Sequence, residues 1–373
     1  MINKEIIKKF AIPGNLEEIK QITTGNIHKT YVAIYSDNGE KNKYLIQQIN
    51  NYVFKKPYDV MNNIEGITKH LQKELEKRGD TEHKVLKVIK STDNNNMVVC
   101  KNEKGEEEFY RAYNFIDNAI CYDTSENPEV VRVAGKAFGN FQKLLNNYPI
   151  ETLAETIVDF HHTKNRFAGF EKDVERDEAN RVKLVNKEIK FIKERKDICN
   201  IIVDKLENKD IPYRVTHNDT KVNNVMINKQ TGDFLVVVDL DTVMPGSGLY
   251  DYGDGVRSAA SNALEDEKDL TKVYLNETLF EAYTDGYLSE LAPYMDDEEV
   301  KLMGASIRLL AIELGIRFLD DYINGDKYFK CNYETHNLDR ARNQLKLVED
   351  IESKMDYMNS YIWECYKKYK HKR

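Results

Sequence analysis

The sequence predicts a mixed α+β protein with a small antiparallel sheet in its N-terminal part and mostly helices in its larger C-terminal part. Across residues 21–115, apolar residues form short β-branched or aromatic clusters separated by turn-forming residues. After residue 116, apolar residues recur every three or four positions, which is the spacing of amphipathic helices. A chain of 373 residues is long enough for two domains. We place these domains at residues 1–116 and 117–373.

The N-terminal elements follow in order from the local pattern. The segments KTYVAIY and KYLIQQIN are predicted strands, and the turn-forming segment SDNGE separates them. A helix is predicted over residues 57–77, because Met61, Ile64, Ile67 and Leu71 follow one another at helical spacing. The sheet is then predicted to resume in the segments KVLKVI, NNNMVVC and EEFYRAYNFI.

The C-terminal part shows helical spacing over residues 130–144 and 182–192. The charged segment 171–209 has an apolar stripe, which predicts an ordinary helix with one solvated face. The longest apolar stretch, residues 300–319, contains four charged side chains that would be costly in lipid. We therefore predict that this stretch is a core helix.

Composition excludes several classes of protein. A net charge of −8 and a pI near 5.7 disfavour a general nucleic-acid binder. The first fourteen residues lack the uninterrupted apolar region of a signal peptide, and the five scattered cysteines suggest neither a disulfide framework nor a zinc site. We expect a cytoplasmic protein with a small-molecule substrate and with no nucleic-acid or membrane partner. Its oligomeric state is left open.

The segment 217–241 contains the candidate catalytic and metal-binding residues. Asp219, Asn224 and Asp239 lie in loops beside short predicted strands and supply hard oxygen ligands, which suit Mg²⁺. The pattern His217-x-Asp219-x-x-x-x-Asn224, followed by an Asp at the end of an apolar strand, matches the template of phosphoryl transfer. In that template one Asp is the catalytic base, whereas the Asn and the other Asp bind the metal.

Some polar residues of this segment have a second interpretation. His217 is more readily explained as a hydrogen-bonding scaffold than as a reacting group. Asn218 and Asn223 are common turn formers. For Asp241, a functional and a structural role are both open.

The stretches THNDTKVNNVMIN, VVVDLDTVMPG and LYDYGDGVR resemble the aminoglycoside phosphotransferase and choline kinase superfamily. The similarity extends over nearly the whole chain and is greatest to the N-acetylhexosamine 1-kinases of that superfamily. It includes the segments GNIHKTY, YLIQQINNYVFKKP, LGIRFLDDYINGDKYFK and HNLDRARNQL. This resemblance implies a two-lobed, protein-kinase-like fold with a small antiparallel-sheet N-lobe and a larger helical C-lobe. ATP would bind between the two lobes.

The resemblance also implies the reaction. Asp219 would be the catalytic base, and Asn224 and Asp239 would bind the Mg²⁺ that bridges the ATP phosphates. The expected reaction is transfer of the γ-phosphoryl group to the anomeric hydroxyl of N-acetylglucosamine or N-acetylgalactosamine. Two alternatives remain open at this point. One is a kinase of another small hydroxyl acceptor, such as another sugar, choline or an aminoglycoside, and the other is a catalytically idle nucleotide-binding protein.

The implied nucleotide contacts lie in the N-terminal part. A strand-turn-strand over residues 25–31 would cover the phosphates. The backbone of residues 111–115, at the expected hinge between the lobes, would hold adenine. The residues assigned to nucleotide binding are Gly25, Asn26, Thr30, Gln48 and Tyr113.

The third strand departs from the superfamily pattern. Choline kinases have Arg and protein kinases have Lys where this chain has Gln47 or Gln48. We therefore expect Lys29, Lys43 or the metal to supply the missing positive charge.

Three residues are expected to contact the substrate, namely Arg317, Tyr328 and Asp241. By resemblance Arg317 would bind the acetylated sugar, but it could equally form a salt bridge with Glu313 one helical turn earlier. Asp251 and Asp254 are expected to anchor the catalytic loop structurally.

Overall fold

The computed structural model describes residues 2–23 and 27–371. A short helix precedes an antiparallel sheet, and these elements are α1 (Lys4–Ile7), β1 (Asn15–Ile22), β2 (Lys29–Asp37), β3 (Glu40–Ile49), β4 (Val98–Lys101) and β5 (Glu107–Asn114). The five strands lie in the order β1-β2-β3-β5-β4 and every neighbouring pair is antiparallel. The predicted small antiparallel sheet is confirmed.

The turn between β2 and β3 shows why the sequence folds as a hairpin here. Asp37 pairs with Glu40, so that Asn38 and Gly39 form a two-residue loop. Both loop residues have positive φ angles, 50° and 86°. Consecutive left-handed residues suit the type I′ turn, for which Asn-Gly is the preferred sequence. The turn predicted from the segment SDNGE is therefore confirmed.

A long helix, α2 (Pro57–Arg78), follows β3 and confirms the helix predicted over residues 57–77. Its apolar face buries Met61, Ile64 and Ile67 completely. These side chains belong to the large core that continues into the C-terminal part. The helix therefore ties the five-stranded sheet to the rest of the molecule.

The chain leaves the five-stranded sheet after Asn114 and enters a second sheet at Ala119. This second sheet has the order β6-β8-β9, and a separate pair consists of β7 and β10. The bounds are β6 (Ala119–Ile120), β7 (Arg214–Thr216), β8 (Val225–Asn228), β9 (Phe234–Val237) and β10 (Met244–Gly246). Because the crossing falls between the two sheets, we propose to keep the domain boundary between residues 116 and 117.

Helices form most of the C-terminal part, as predicted. They are α3 (Pro128–Leu144), α4 (Thr163–Arg176), α5 (Asn186–Lys193), α6 (Ile201–Glu207), α7 (Gly248–Ala259), α8 (Glu277–Leu291), α9 (Asp297–Ile323), α10 (His336–Ser353) and α11 (Met355–Tyr369). The stretch 300–319 lies inside α9, which packs against α7 and α10. It is a core helix, as predicted. Over the described ranges, no helix combines the length and the apolar character needed to cross a membrane.

Glycines allow two C-terminal helices to approach closely. A Cβ atom at Gly135 of α3 would collide with the backbone carbonyl of Tyr283 in α8, and one at Gly139 would collide with that of Tyr287. The α3–α8 contact therefore requires the absence of a side chain at both positions.

Two predicted elements differ from the structure. The segment KVLKVI is not a regular strand. Strand β4 already pairs with β5 from Glu107 to Tyr110, so the segment forms only an isolated bridge with β5, between Val88 and Tyr113. The segment 171–209 is not one helix. Left-handed residues at Asp177 and Asn180 end α4, and α5 and α6 follow as separate short helices.

Candidate active site

The loop between β7 and β8 is held in place by His217. The buried ring packs edge-on against Phe138 and Phe141. Its Nδ1 accepts the backbone N–H of Asp219 at 3.3 Å, so Nε2 carries the proton and donates it to the carbonyl of Val238 at 2.9 Å. Both ring nitrogens are thus used within the protein, which supports the scaffold interpretation of His217.

Two carboxylates of helix α7 accept hydrogen bonds from the backbone of the same loop. The buried carboxylate of Asp251 accepts the backbone N–H groups of His217 at 2.9 Å and Asn218 at 2.8 Å. Asp254 accepts the N–H of Thr220 at 3.0 Å. Asn218 has a φ angle of 65°, which is unfavourable for a residue other than glycine. The surrounding hydrogen bonds hold it there, and they fix the backbone next to the predicted base.

The predicted base, Asp219, is partly exposed and has two side-chain partners. The amide nitrogen of Asn224 donates to the carbonyl oxygen of Asp219 at 2.8 Å and to its Oδ2 at 3.2 Å. The amide oxygen of Asn224 is therefore turned away and available to another ligand. The ammonium of Lys221 lies 2.8 Å from Oδ1 of Asp219. The structure thus brings Asp219 and Asn224 together and adds a cation.

Asp239 follows β9 in a left-handed conformation, with φ 61° and ψ 57°. Loss of water around its carboxylate and the negative charges of Asp241 and Asp219 raise the pKa of Asp239 to about 7. The residue as a whole is solvent-exposed, so we attribute this shift to the crowding of carboxylates more than to deep burial. Such an excess of negative charge is a suitable setting for a divalent cation.

An ion pair joins the N-terminal sheet to the loop that carries Asp239. Arg111 of β5 and Asp241 are both 2% exposed in their side chains. The guanidinium donates two parallel hydrogen bonds to Asp241, at 2.5 and 2.7 Å, and a third to Gln47 at 2.9 Å. His28, which directly precedes β2, places its Nε2 3.4 Å from Asp241.

These contacts suggest a structural role for Asp241. Burial alone would raise the pKa of Asp241, but the charge of Arg111 lowers it far below the ordinary value. Both oxygens of this carboxylate are occupied by Arg111 and His28. Asp241 is almost completely buried and binds Arg111 through both of its oxygens, so we propose that it holds the contact between the lobes, and its predicted substrate contact stays a prediction.

The two glutamines of β3 lie on opposite faces of the sheet. Gln47 is the cross-strand partner of Thr30 and Arg111, and its amide donates to the Thr30 hydroxyl at 3.2 Å. Gln48 instead pairs with Tyr110 and lines the outer surface of the sheet. The strand alternation therefore turns Gln48 away from the ion pair. We call the face of the sheet that carries Thr30, Gln47 and Arg111 the cleft face. A phosphate contact of Gln48 stays a prediction, and we propose Gln47 as the alternative.

The other predicted nucleotide residues have different outcomes. Thr30 lies on the cleft face through its bond to Gln47. Tyr113 is buried two residues beyond Arg111, whose guanidinium lies 5.4 Å from the centre of the tyrosine ring. Gly25 and Asn26 lie outside the described residues.

The two lysines expected to supply a phosphate charge do not lie beside the ion pair. Lys43 forms a salt bridge with Asp117 at 2.7 Å and lies over the ring of Phe115. Lys29 is exposed and lines the outer surface of the sheet. On the cleft face, the buried cation is instead Arg111.

On the acceptor side, Arg317 of α9 is half-buried between two aromatic rings. Its guanidinium carbon lies 5.5 Å from the ring centre of Phe160 and 5.6 Å from that of Phe329. Within the described residues it forms no ion pair or hydrogen bond. Glu313 is bound instead by His161 at 2.9 Å and approached by Arg166 at 3.3 Å. The alternative of a Glu313–Arg317 salt bridge is therefore not what the structure shows.

Tyr328 lies on the loop that follows α9, and its side chain is 69% exposed. The carboxylate of Asp321 accepts the backbone N–H groups of Tyr328 and Phe329, both at 2.8 Å. Asn337 of α10 donates to the same carboxylate at 2.9 Å. This fixes the loop against α9, and a substrate contact of the Tyr328 side chain stays a prediction.

Comparison with known proteins identifies the family. The family model described as phosphotransferase enzyme family, APH, matches residues 18–294. The chain belongs to this family. The match includes the catalytic loop, the segment of Asp239 and the interlobe ion pair.

Solved structures similar to this phosphotransferase share its fold. A microcompartment-associated aminopropanol kinase has a TM-score of 0.64 at 14% identity, over 94% of this chain and 97% of that chain. The amicoumacin kinase hAmiN, in complex with AMP-PNP, Ca²⁺ and Ami, has a TM-score of 0.58 at 15% identity, over 94% and 93%. Choline kinase from Cryptosporidium parvum Iowa II has a TM-score of 0.55 at 15% identity, over 97% and 100%. These matches confirm the predicted kinase-like fold.

The donor atoms of this phosphotransferase fit a shared metal site. Among residues 2–23 and 27–371, no group of three His, Cys, Asp or Glu side chains is arranged to hold a metal by itself. The candidate donors are one carboxylate and one amide oxygen, from Asp239 and Asn224. Mg²⁺ commonly takes one or two protein carboxylates and completes its shell with waters and phosphate oxygens. The donor set therefore fits a metal shared with a nucleotide.

Three side chains around the site were not predicted from the sequence. Arg111 had a signal, since it is a charged residue inside the apolar segment EEFYRAYNFI. Lys221 also had one, because it follows Asp219 by two positions. His161 had none, since its partners lie far away in sequence.

Proposed function

We propose that this phosphotransferase transfers the γ-phosphoryl group of ATP to the anomeric hydroxyl of an N-acetylhexosamine, GlcNAc or GalNAc, and releases the sugar 1-phosphate. The observation that carries this proposal is the guanidinium of Arg317, which has no ion pair among the described residues and lies between the rings of Phe160 and Phe329. A free guanidinium can donate hydrogen bonds to an acetamido carbonyl. The same positive charge disfavours a cationic acceptor.

The roles of the catalytic loop follow from its contacts. Asp219 would accept the proton of the anomeric hydroxyl while the new oxygen–phosphorus bond forms and the bond to the leaving ADP oxygen breaks. A hemiacetal hydroxyl is more acidic than an ordinary alcohol, so a carboxylate of ordinary basicity suffices. Lys221, 2.8 Å from Asp219, would offset the charge on the transferring group.

The nucleotide side follows from the second set of contacts. Asn224 and Asp239 would hold a Mg²⁺ ion, which neutralises charge on the phosphates when bound. The Arg111–Asp241 pair would keep the loop of Asp239 in place against the sheet. Each of the five cysteines is a free thiol, and we propose a cytoplasmic location, where thiols remain reduced and ATP is available.

A second candidate acceptor is an amino alcohol. A cavity of about 160 Å³ beside Asn218 is lined by Glu155, Asp159 and Glu207, by aromatic residues and by His161 and His162. Carboxylates and aromatic faces favour ammonium groups. This observation supports an acceptor of the kind named in the aminopropanol and choline kinase structures.

Turnover with an acceptor panel distinguishes the candidates. ADP release from Mg-ATP would be measured with N-acetylglucosamine, N-acetylgalactosamine, glucose, galactose, choline, 1-amino-2-propanol and kanamycin. The Asp219→Asn variant, purified in parallel, controls for contaminating kinases. We expect turnover with the two acetylated sugars. Turnover only with the amines would reject the sugar and support the amino alcohol, whereas nucleotide binding without any turnover would favour the idle protein.

A further inference from the structure

We propose that His161 is a positioning residue that connects the acceptor-binding face of α9 to the catalytic loop. The proposal rests on the proposed function in one respect, which is that the acceptor lies against Arg317. His161 precedes α4 and is 8% exposed. Its Nδ1 lies 2.9 Å from Oε2 of Glu313, and its Nε2 lies 3.4 Å from the backbone carbonyl oxygen of Asn218.

Both partners of the His161 ring are acceptors only. A carboxylate and a carbonyl oxygen cannot donate, so both contacts are satisfied only when each ring nitrogen carries a proton. The side chain of His161 is therefore a buried imidazolium. Burial lowers the pKa of His161, but the charge of Glu313 raises it overall above the ordinary value of 6.5.

Other charged groups face this ring from the surrounding helices. The negative charge of Asp254 on α7 raises the pKa of His161, and the positive charge of Arg317 on α9 lowers it. Arg166 on α4 reaches the partner carboxylate of Glu313, and Tyr250 on α7 packs its ring 5.1 Å from the imidazole.

The contact with Asn218 matters because of the peptide bond involved. The carbonyl of Asn218 and the N–H of Asp219 belong to the same peptide group. His161 donates to its carbonyl, and His217 accepts its N–H at 3.3 Å. Two imidazole rings thus hold opposite sides of the peptide that leads into the base. Because Asn218 is in a left-handed conformation, loss of one contact would let this peptide rotate and would displace Asp219.

The other end of the connection faces the acceptor. Oε1 of Glu313 is buried without a hydrogen-bond partner, although Nε of Arg166 lies 3.3 Å away. Arg317 follows Glu313 by one helical turn on the same face of α9. An acceptor group bound to Arg317 therefore changes the electrostatic surroundings of the carboxylate that holds His161. In this way acceptor binding and the position of Asp219 are linked.

Two substitutions separate the two ring contacts. His161→Gln places an amide near Nε2 and keeps a donor for Asn218, whereas His161→Asn places an amide near Nδ1 and keeps the contact with Glu313. For the acceptor that the wild type uses, His161→Asn should lower kcat roughly 10- to 100-fold with little change in the KM for ATP. His161→Gln should keep more of kcat and raise the KM for the acceptor.

The neighbouring His162 is a matched control. Its Nδ1 accepts the N–H of Asn165 at the start of α4, and His162→Asn keeps an N-terminal cap. With an acetylated sugar as acceptor, this variant should resemble the wild type, because the cavity that His162 lines is the candidate site for an amino alcohol and not for the sugar. Equal losses of kcat in His161→Gln and His161→Asn, in proportion to their folded fractions, would show a merely structural residue and overturn the proposal.

The pH profile gives a second readout. The protonated ring makes both contacts, so wild-type kcat should fall as the pH rises through the raised pKa of His161. This fall should be absent from the His161→Asn variant, in which no proton is lost. An identical fall in both proteins would contradict the proposal.

A measurement without any acceptor separates this proposal from the proposed function. In ¹⁵N NMR spectra of the full chain, assigned with His161→Asn, both nitrogens of His161 should be protonated at pH 6.5. A neutral ring at that pH would overturn the proposal even if the chain is a sugar kinase. A protonated ring in a protein that phosphorylates no sugar would instead reject only the proposed function.

Discussion

Arg111 and Asp241 lie 130 positions apart in the sequence and form a bidentate ion pair, with both side chains almost completely buried. The pair joins β5 to the loop of Asp239. It also lies next to Gln47 on the cleft face of β3, since Nε of Arg111 donates to the amide oxygen of Gln47 at 2.9 Å. The buried cation beside Gln47 therefore lies on the neighbouring strand, β5.

Arg111→Gln should destabilise the protein by about 3–5 kcal/mol, because it leaves the carboxylate of Asp241 buried without its partner. The free energy of unfolding in urea measures this loss. Adding Gln47→Lys to the same chain should restore part of the stability and of the Mg-ATP affinity, since these residues are cross-strand partners.

The exposed salt bridge of Lys43 gives a control for the Arg111 experiment. Lys43→Gln should cost no more than about 1 kcal/mol. A loss of the same size in Arg111→Gln, with no effect of Gln47→Lys, would contradict the role of the ion pair.

Asp219→Asn should lower the rate of phosphoryl transfer by at least roughly 100-fold, because the proton acceptor is removed. Binding of Mg-ATP should be almost unchanged, since Asn224 and Asp239 remain. Single-turnover kinetics and calorimetric titration of the nucleotide measure the two effects. Transfer at a near-normal rate would show that Asp219 is not the base.

Lys221→Met should lower kcat by roughly 10- to 100-fold, because it removes a cation beside the base. The exposed Lys229, eight residues later, provides a control of the same type. Steady-state kinetics of both variants test the prediction. Similar small effects at the two positions would assign Lys221 to a surface salt bridge.

Arg317→Ala should raise the KM for the acetylated sugar at least roughly tenfold and leave that for ATP within about twofold, because in the proposed complex the guanidinium contacts the acceptor and not the nucleotide. Arg308→Ala removes a charge from the same helix at a residue that contacts Glu352. It should change neither constant. An equal rise of both constants in Arg317→Ala would indicate general damage to α9.

Asp239→Asn should abolish the effect of Mg²⁺ on nucleotide affinity. In the wild type, chelation by EDTA should weaken ATP binding by at least roughly tenfold, because the metal neutralises phosphate charge. Calorimetric titrations with and without Mg²⁺ measure both proteins. Unchanged Mg²⁺ dependence in the variant would place the metal on other ligands.

Local features of the sequence predicted much of the fold and of the catalytic loop. The turn after β2 is determined by two adjacent residues, Asn38 and Gly39. Asp219, Asn224 and Asp239 are likewise close in sequence, with only two short strands between the first and the last. Chain connectivity keeps such groups together, so their proximity follows from sequence.

The remaining contacts depend on how distant elements pack. Arg111 meets Asp241 across 130 positions and His161 meets Glu313 across 152, so no local pattern predicts either pair. The side of the sheet that Gln48 occupies depends on strand register, and a shift of one residue reverses it. The sequence alone could not decide whether Arg317 forms a salt bridge with Glu313. The answer depends on the ion pair that His161 forms with Glu313.

The most direct test of the central claim is a ¹H–³¹P correlation spectrum of the product formed from N-acetylglucosamine, Mg²⁺ and ATP. The account predicts a cross-peak between the product phosphorus and the anomeric proton of the sugar, absent with Asp219→Asn. A cross-peak to any other sugar proton, or phosphorylation of 1-amino-2-propanol in place of the sugar, would contradict it.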